Sequence, residues 1–115
     1  MARNNYLLII TLNINGLNAL IERNRIAEWI TKHDPHICCL KETHLRTKDL
    51  HRLKVKGWKQ IFQANGQEKK EGVAIIISGK IDFKKRAIQR DPEGHFIIVK
   101  GRIHQEDINL SLIHI

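Results

Sequence analysis

Two apolar segments of this chain each end abruptly in polar residues. Residues 6–12 form the first and run into Asn13 and Asn15, and residues 37–40 form the second, which is soon followed by Glu42. Short apolar runs of this kind are typical of buried strands, and in open α/β sheets ligands bind at the carboxyl ends of the strands. A carboxylate beside amide side chains suits a hard cation such as Mg²⁺. The pattern therefore predicts an α/β fold with a polar, metal-binding edge.

The stretch between these two segments predicts a helix. Residues 19–32 place apolar side chains on one broad face and charged side chains on the other. Asn18 is suited to cap the first turn, and Pro35 follows the last turn as a typical stop signal. We therefore expect a strand–helix–strand unit in which a strand at residues 36–41 returns parallel to the first, through a right-handed crossover.

The rest of the chain is rich in strand signals. A polar loop with a short helix near residues 48–53 is followed by strands predicted at residues 58–64, 73–77, 81–89, 95–103 and 108–115. The strand at 73–77 is apolar throughout, which predicts burial on both faces. Residues 91–94 read Asp-Pro-Glu-Gly and predict a hairpin turn, because proline presets φ and glycine supplies a positive φ.

The charge of the chain favours anionic partners. The 115 residues suffice for one small domain, and they carry a formal net charge of +8 with a pI of about 9.8. Such an excess favours nucleic acid first and an acidic membrane surface second. The alternative is that the basic residues form solvated faces and protect edge strands. The basic clusters are Lys54/Lys56/Lys59, Lys69/Lys70 and Lys84/Lys85/Arg86/Arg90.

Several features argue against secretion and membrane insertion. No apolar run reaches the roughly 18 residues that a membrane span needs, and the N-terminal residues lack the features of a signal peptide. Cys38 and Cys39 are adjacent in a predicted strand, so their side chains point to opposite faces and are expected to be reduced and buried. Together with His33 and His36 they have poor spacing for zinc. We expect a nuclear or cytoplasmic protein without membrane contact.

The end of the chain is apolar where a domain usually has polar sequence. Residues 110–115 continue a predicted core strand, although termini normally lie at the surface. We therefore expect residues 1–115 to form an incomplete domain, the front part of a longer fold.

A set of short motifs connects the chain with a known family. These motifs lie at residues 10–18, 29–30, 34–35, 38–39, 42–45, 51–54, 56–58, 63–66, 72–75 and 93–95. The segments around Asn13 and Glu42 resemble the endonuclease/exonuclease/phosphatase superfamily of Mg²⁺-dependent phosphodiesterases. The other segments are similar to the N-terminal endonuclease domain of the LINE-type retrotransposon open-reading-frame-2 protein, a relative of the apurinic endonucleases.

This resemblance implies a fold, a cofactor and a partner. The fold would be the N-terminal half of a two-sheet, four-layer α/β sandwich with helices outside. The cofactor would be Mg²⁺, with Mn²⁺ as a substitute, and the partner would be DNA. The implied reaction is hydrolysis of a phosphodiester bond, which nicks DNA for retrotransposition within a reverse transcriptase polyprotein.

The resemblance also implies roles for particular residues. Glu42 would be the catalytic metal carboxylate, and Asn13 would stand beside it as a catalytic and metal-supporting residue. Asn15 and Lys41 would have secondary roles toward the metal or a phosphate, although Lys41 stands where the family usually has glutamine. The implied substrate contacts are Thr43 and His44, and the basic cluster Lys69/Lys70 is a further candidate contact with nucleic acid.

Other family residues come later in the fold than this chain reaches. They are a tyrosine in a Tyr-Ala-Pro segment, an Asp-x-Asn pair and a final Asp-His pair, which supply the base and the phosphate donors. We therefore expect the fragment to be inactive alone, because losing such groups removes several orders of magnitude of rate. Two alternatives stay open: a non-catalytic, basic nucleic-acid-binding remnant, and a chain that does not fold stably.

Overall fold

A computed structural model describes residues 7–14, 20–43, 58–65 and 72–113. These residues form one helix and seven strands: β1 (Ile9–Asn13), α1 (Leu20–His33), β2 (Ile37–Lys41), β3 (Trp58–Asn65), β4 (Gly72–Ser78), β5 (Phe83–Arg90), β6 (Phe96–Ile103) and β7 (Glu106–Ile113). Each corresponds to an element predicted from the sequence, with ends that differ by at most three residues. The short helix predicted at residues 48–53 lies outside the described residues.

The first sheet has the strand order β1-β2-β4-β3. β1 and β2 are parallel, as predicted, and their register runs from Ile9 opposite Ile37 to Asn13 opposite Lys41. β4 pairs antiparallel with both β2 and β3. All seven residues of β4 are buried, which confirms the predicted burial on both faces. The polar ends of β1 and β2 therefore meet at one edge of this sheet.

Helix α1 covers the outer face of the first sheet. Its fully buried Ile30 belongs to an apolar cluster with Cys38, Leu40, Ala74 and Ile76. Trp29 is partly buried against the same cluster. Asp34, the residue after the helix, has a left-handed φ of 50° and donates its backbone N–H to the carbonyl of Ile30 (2.8 Å).

The second sheet is antiparallel, with the order β5-β6-β7, and it packs on the inner face of the first. The core between the sheets contains residues from both, including an edge-to-face pair of Phe62 and Phe83 with ring centroids 6.1 Å apart. The predicted turn joins β5 to β6: Gly94 has a φ of 82°, and its N–H donates to the carbonyl of Asp91 (2.9 Å). The hairpin prediction is confirmed.

Cys38 and Cys39 lie on opposite faces of β2, in the two different cores, and both are free thiols. Burial and, to a smaller extent, the neighbouring Cys39 raise the pKa of Cys38 to about 12. Burial likewise raises the pKa of Cys39 to about 11. Both thiols are therefore protonated near neutral pH, in agreement with the prediction of reduced, buried cysteines.

The fold is α/β, and the described residues provide three layers: α1, the first sheet and the second sheet. On β1 the residues facing the second sheet, Ile9, Thr11 and Asn13, are all exposed, Ile9 to 46%. β1 and β7 are both outermost strands of their sheets among the described residues. No helix in this part of the chain is both long and apolar enough to cross a membrane.

Candidate metal centre at the strand ends

The parallel pairing of β1 and β2 brings Asn13 and Glu42 to the same edge. Asn13 lies opposite Lys41 in the register, so Glu42 is the next residue along the neighbouring strand. The pairing extends one step further, because the N–H of Ile14 donates to the carbonyl of Lys41 (3.0 Å). The side chain of Asn13 is exposed and that of Glu42 is half-buried. An amide oxygen and a carboxylate are thus presented by adjacent strand ends.

The backbone at Glu42 departs from the strand conformation. Its φ is 56°, in the left-handed region that residues other than glycine, asparagine and aspartate rarely adopt. Such a conformation costs on the order of 1–3 kcal/mol and is concentrated at functional sites. It ends the alternation of β2 and redirects the Glu42 carboxylate away from the position that a continued strand would give it.

Thr43 fixes the chain directly after Glu42. Its N–H donates to the carbonyl of Gly72, the first residue of β4 (3.1 Å), and its side chain is fully buried. Its Oγ1 has no hydrogen-bond partner. The burial leaves no exposed surface for the predicted contact between this side chain and nucleic acid. In the structure Thr43 is an anchor that holds the carboxyl end of β2 against β4.

Lys41 shares the inner face of β2 with Cys39, two residues earlier. Its positive charge acts on that thiol: burial, the larger effect, raises the pKa of Cys39, and the Lys41 ammonium opposes part of the increase. The lysine is therefore close to the core-facing side of the strand ends. Its predicted role toward metal or phosphate stays a prediction.

The other predicted site residues cannot be placed relative to this edge. Asn15, His44, Lys69 and Lys70 all lie outside the described residues.

Two residues near this edge were not among the predicted residues of the metal site. Gln63 lies in the same cross-sheet row as Ala74 and Leu40, and its buried Oε1 has no hydrogen-bond partner. Arg90, at the end of β5, donates from Nε to the backbone carbonyl of Gln63 (2.7 Å) and so places a cation on this side of the sandwich. The contact joins two different sheets, and no local sequence pattern reports it.

The side chains at these strand ends could provide part of the oxygen ligands of a magnesium ion. Among the described residues there is no group of three or more His, Cys, Asp or Glu side chains that could hold a metal ion. Glu42 and Asn13 offer one carboxylate and one amide oxygen. Mg²⁺ is commonly bound by one or two carboxylates while waters and substrate phosphates complete its octahedron. These two residues therefore suit a metal that is shared with a phosphate.

The sequence matches the Endonuclease/Exonuclease/phosphatase family over residues 10–113. The chain belongs to this family. The match covers all residues of the described strands except Ile9, the first residue of β1. It includes both Asn13 and Glu42. Nucleases of this superfamily generally use divalent metal ions, which agrees with the oxygen donors at the strand ends.

Solved structures of the family share the fold. An AP endonuclease, LMAP, from Leishmania major superposes with a TM-score of 0.71 at 17% identity, over 94% of this chain and 40% of its own. Truncated TDP2 from Caenorhabditis elegans gives 0.68 at 23% identity, over 95% of this chain and 46% of its own. D. rerio TDP2 complexed with a single-strand DNA product gives 0.67 at 18% identity, over 91% and 44%. The chain thus spans less than half the length of these proteins.

Proposed function

We propose that residues 1–115 are the N-terminal part of a Mg²⁺-dependent DNA endonuclease domain. The observation that carries the proposal is the register of β1 on β2, which presents Asn13 and Glu42 at one strand-end edge in a chain of this family. The finer assignment, to the endonuclease of a LINE-type retrotransposon, is supported by the sequence motifs. A DNA substrate also suits the net charge of +8, and it would imply a nuclear or cytoplasmic location.

Phosphodiester hydrolysis at this edge requires side chains that bind a cation and side chains that position a phosphate. When bound, Mg²⁺ would neutralise phosphate charge and stabilise the transition state as a Lewis acid. Glu42 supplies the anionic oxygen for the ion, and the Asn13 amide orients the carboxylate or donates to a phosphate oxygen. The bond from the Thr43 N–H to Gly72 limits movement of this strand end. These residues bind and orient, and none of them is suited to activate water.

Activity of the chain alone is therefore expected to be low or absent. General-base catalysis contributes typically 10²–10⁴-fold, and a missing phosphate donor costs a similar factor. Metal binding is the property that the edge can show by itself, and it provides the direct test.

The test measures Mn²⁺ binding by electron paramagnetic resonance in the wild type and in Glu42→Gln, which removes charge and retains size. We expect Glu42→Gln to weaken Mn²⁺ binding by at least about tenfold, the scale on which metal sites respond to altered ligation. The matched control is Glu28→Gln on the exposed side of α1, which should leave binding unchanged. Equal binding by both variants would remove the proposed metal site.

A plasmid assay tests the reaction itself. Any Mg²⁺-dependent nicking of supercoiled DNA by the wild type should be lost in Glu42→Gln and kept in Glu28→Gln. Nicking that survives Glu42→Gln would come from another source and would contradict the assigned role of Glu42.

The second candidate function is nucleic-acid binding without catalysis. It is favoured by the exposed basic residues of β5, which carries Lys84, Lys85 and Arg86 in succession. This function predicts binding that needs no metal, weakens steeply with salt and is indifferent to Glu42→Gln.

A further inference from the structure

A cleft of about 440 Å³ opens on the second sheet, far from the strand-end edge. We name it the distal cleft; it is lined by Asp82, Lys84, Arg86, Arg102, His104 and Gln105. The course of the chain fixes its position. β4 starts at Gly72 beside Thr43, ends at Ser78 and turns into β5, so the start of β5 lies at the opposite end of the sandwich from Glu42.

A β-bulge aims the basic side chains into the distal cleft. The register shifts between Lys85 and Ala87, so Lys84 lies directly opposite Arg102 on the outer face. Phe83, one residue earlier, is buried in the core opposite Ile103. An extra residue in one strand redirects the side chains before it. If the register between the hairpin turn and Ala87 continued through β5 without the bulge, Lys84 would lie opposite Ile103.

Gly101 allows this arrangement. A Cβ built on it would lie 2.3 Å from Cζ of Phe83 and 2.6 Å from the carbonyl oxygen of Lys84. The Phe83 ring therefore lies across the backbone of β6 at a position where only glycine fits. The same contact fixes the start of β5, including the direction of Lys84.

The far side of the distal cleft is a strained turn. His104 and Gln105 have φ values of 49° and 69°, so both central residues of the two-residue β6–β7 turn are left-handed. Turns of this kind normally prefer asparagine and glycine. Two side chains that disfavour the conformation are thus held at the rim of a cleft, as is common at ligand-binding sites.

The electrostatics of the distal cleft favour an anion. Lys84 and Arg102 are like charges at directly opposed positions of neighbouring strands, a pairing that destabilises a sheet. Each has one flanking carboxylate: Asp82 lies 3.9 Å from Lys84, and Asp107 lies 3.2 Å from Nε of Arg102. Arg86 has no ion-pair partner among the described residues. A phosphate between these cations would relieve their repulsion.

We propose that the distal cleft is where the chain binds the phosphodiester backbone of nucleic acid, independently of the metal edge; this proposal rests on the second candidate function, nucleic-acid binding without catalysis. Arginine matches phosphate geometry with paired donors, and two of the three cations that line the cleft are arginines. A membrane surface fits less well, because basic membrane-binding faces also insert apolar side chains. Among the described residues the exposed large apolar side chains are Leu8, just before β1, and Ile9, the first residue of β1. β1 belongs to the first sheet, whereas the distal cleft lies on the second.

The test is binding of a fluorescein-labelled 20-nucleotide single-stranded DNA, followed by anisotropy in EDTA across a salt series. Because EDTA removes metal ions, the binding measured here does not depend on the proposed metal site. We expect Lys84→Ala/Arg86→Ala to weaken binding at least fivefold and to reduce the slope of log K against log salt by about 1.4, since each of the two lost phosphate contacts on a single strand contributes about 0.7. Both side chains are exposed, so the fold should be retained.

The matched control is Arg25→Ala/Lys32→Ala, which removes the same charge from exposed positions of α1. It should weaken binding less than twofold. Equal weakening by the two double variants, or no binding by the wild type at low salt, would overturn the proposal. So would a loss of binding to phosphatidylserine vesicles in Lys84→Ala/Arg86→Ala without a change in DNA binding, because the occupant would then be a membrane.

Discussion

The two sheets differ most on their outer faces. The outer face of the first sheet is apolar and covered by α1, with Ile76 and Leu40 fully buried beneath the helix. The outer face of the second sheet carries Lys84, Lys100 and Arg102 and has no covering element among the described residues. A covered face contributes to stability, and a bare, charged face is open to a partner. The distal cleft proposed above lies on the second of these two faces.

Two isoleucines provide the strongest test of this difference. Ile76→Ala, under α1, should lower the free energy of unfolding by about 2–5 kcal/mol, because a fully buried isoleucine leaves a cavity. Ile98→Ala, on the outer face of β6 where the side chain is half-buried, should cost less than about 1.5 kcal/mol. Urea denaturation monitored by circular dichroism gives both values. Equal losses would show that the outer face of the second sheet is also packed in the protein.

Gly101→Ala sharpens the comparison within the second sheet. The added methyl group would meet the Phe83 ring and the Lys84 carbonyl, so we expect a loss of about 1–3 kcal/mol in the free energy of unfolding, typical of overpacking. Ser111→Ala, at an exposed position of β7, is the control and should change stability by less than about 0.5 kcal/mol. The same denaturation experiment applies. A neutral Gly101→Ala would mean that the ring moves aside easily and does not fix the distal cleft.

The pH dependence of stability tests, through Cys38, how completely α1 covers the outer face of the first sheet. Burial raises the pKa of Cys38 to about 12 from the value of 9.0 for a free thiol, so the unfolded chain releases this proton first as pH rises. Stability from the thiol is complete below pH 9 and is lost as the pH approaches 12; at pH 10 the loss is about 1 kcal/mol.

The measurement is the difference in unfolding free energy between pH 8 and pH 10 for the wild type and Cys38→Ala. The variant should lose about 1 kcal/mol less over this interval. Groups other than the adjacent Cys39 titrate alike in both proteins and cancel. An unchanged difference would mean that Cys38 is accessible to solvent and that α1 does not seal the outer core.

Local patterns were sufficient to predict the elements. The amphipathic period of α1, the apolar run of β4 and the turn at Asp91–Gly94 are properties of consecutive residues, and all three are confirmed. The polar ends of β1 and β2 also indicated the candidate edge, since a parallel pair brings such ends together. The left-handed backbone of Glu42 had no such signal, because glutamate does not favour that conformation.

Contacts between distant segments were not predictable in this way. The hydrogen bond from Arg90 to Gln63 links different sheets, and the anchor of Thr43 on Gly72 joins the ends of two strands. The sequence grouped Lys84, Lys85 and Arg86 as one basic cluster. The bulge distributes them differently, with Lys84 and Arg86 in the distal cleft and Lys85 opposite Gly101.

The sequence by itself determined which segments are strands or helix and where polar groups interrupt apolar runs. These features depend on side chains a few residues apart, whose spacing is set by the local backbone geometry. Tertiary structure alone decided the register of β5 on β6 and the meeting of Lys84 with Arg102. A one-residue change of register reverses every side chain that precedes it, and the packing of Phe83 over Gly101 selects the register.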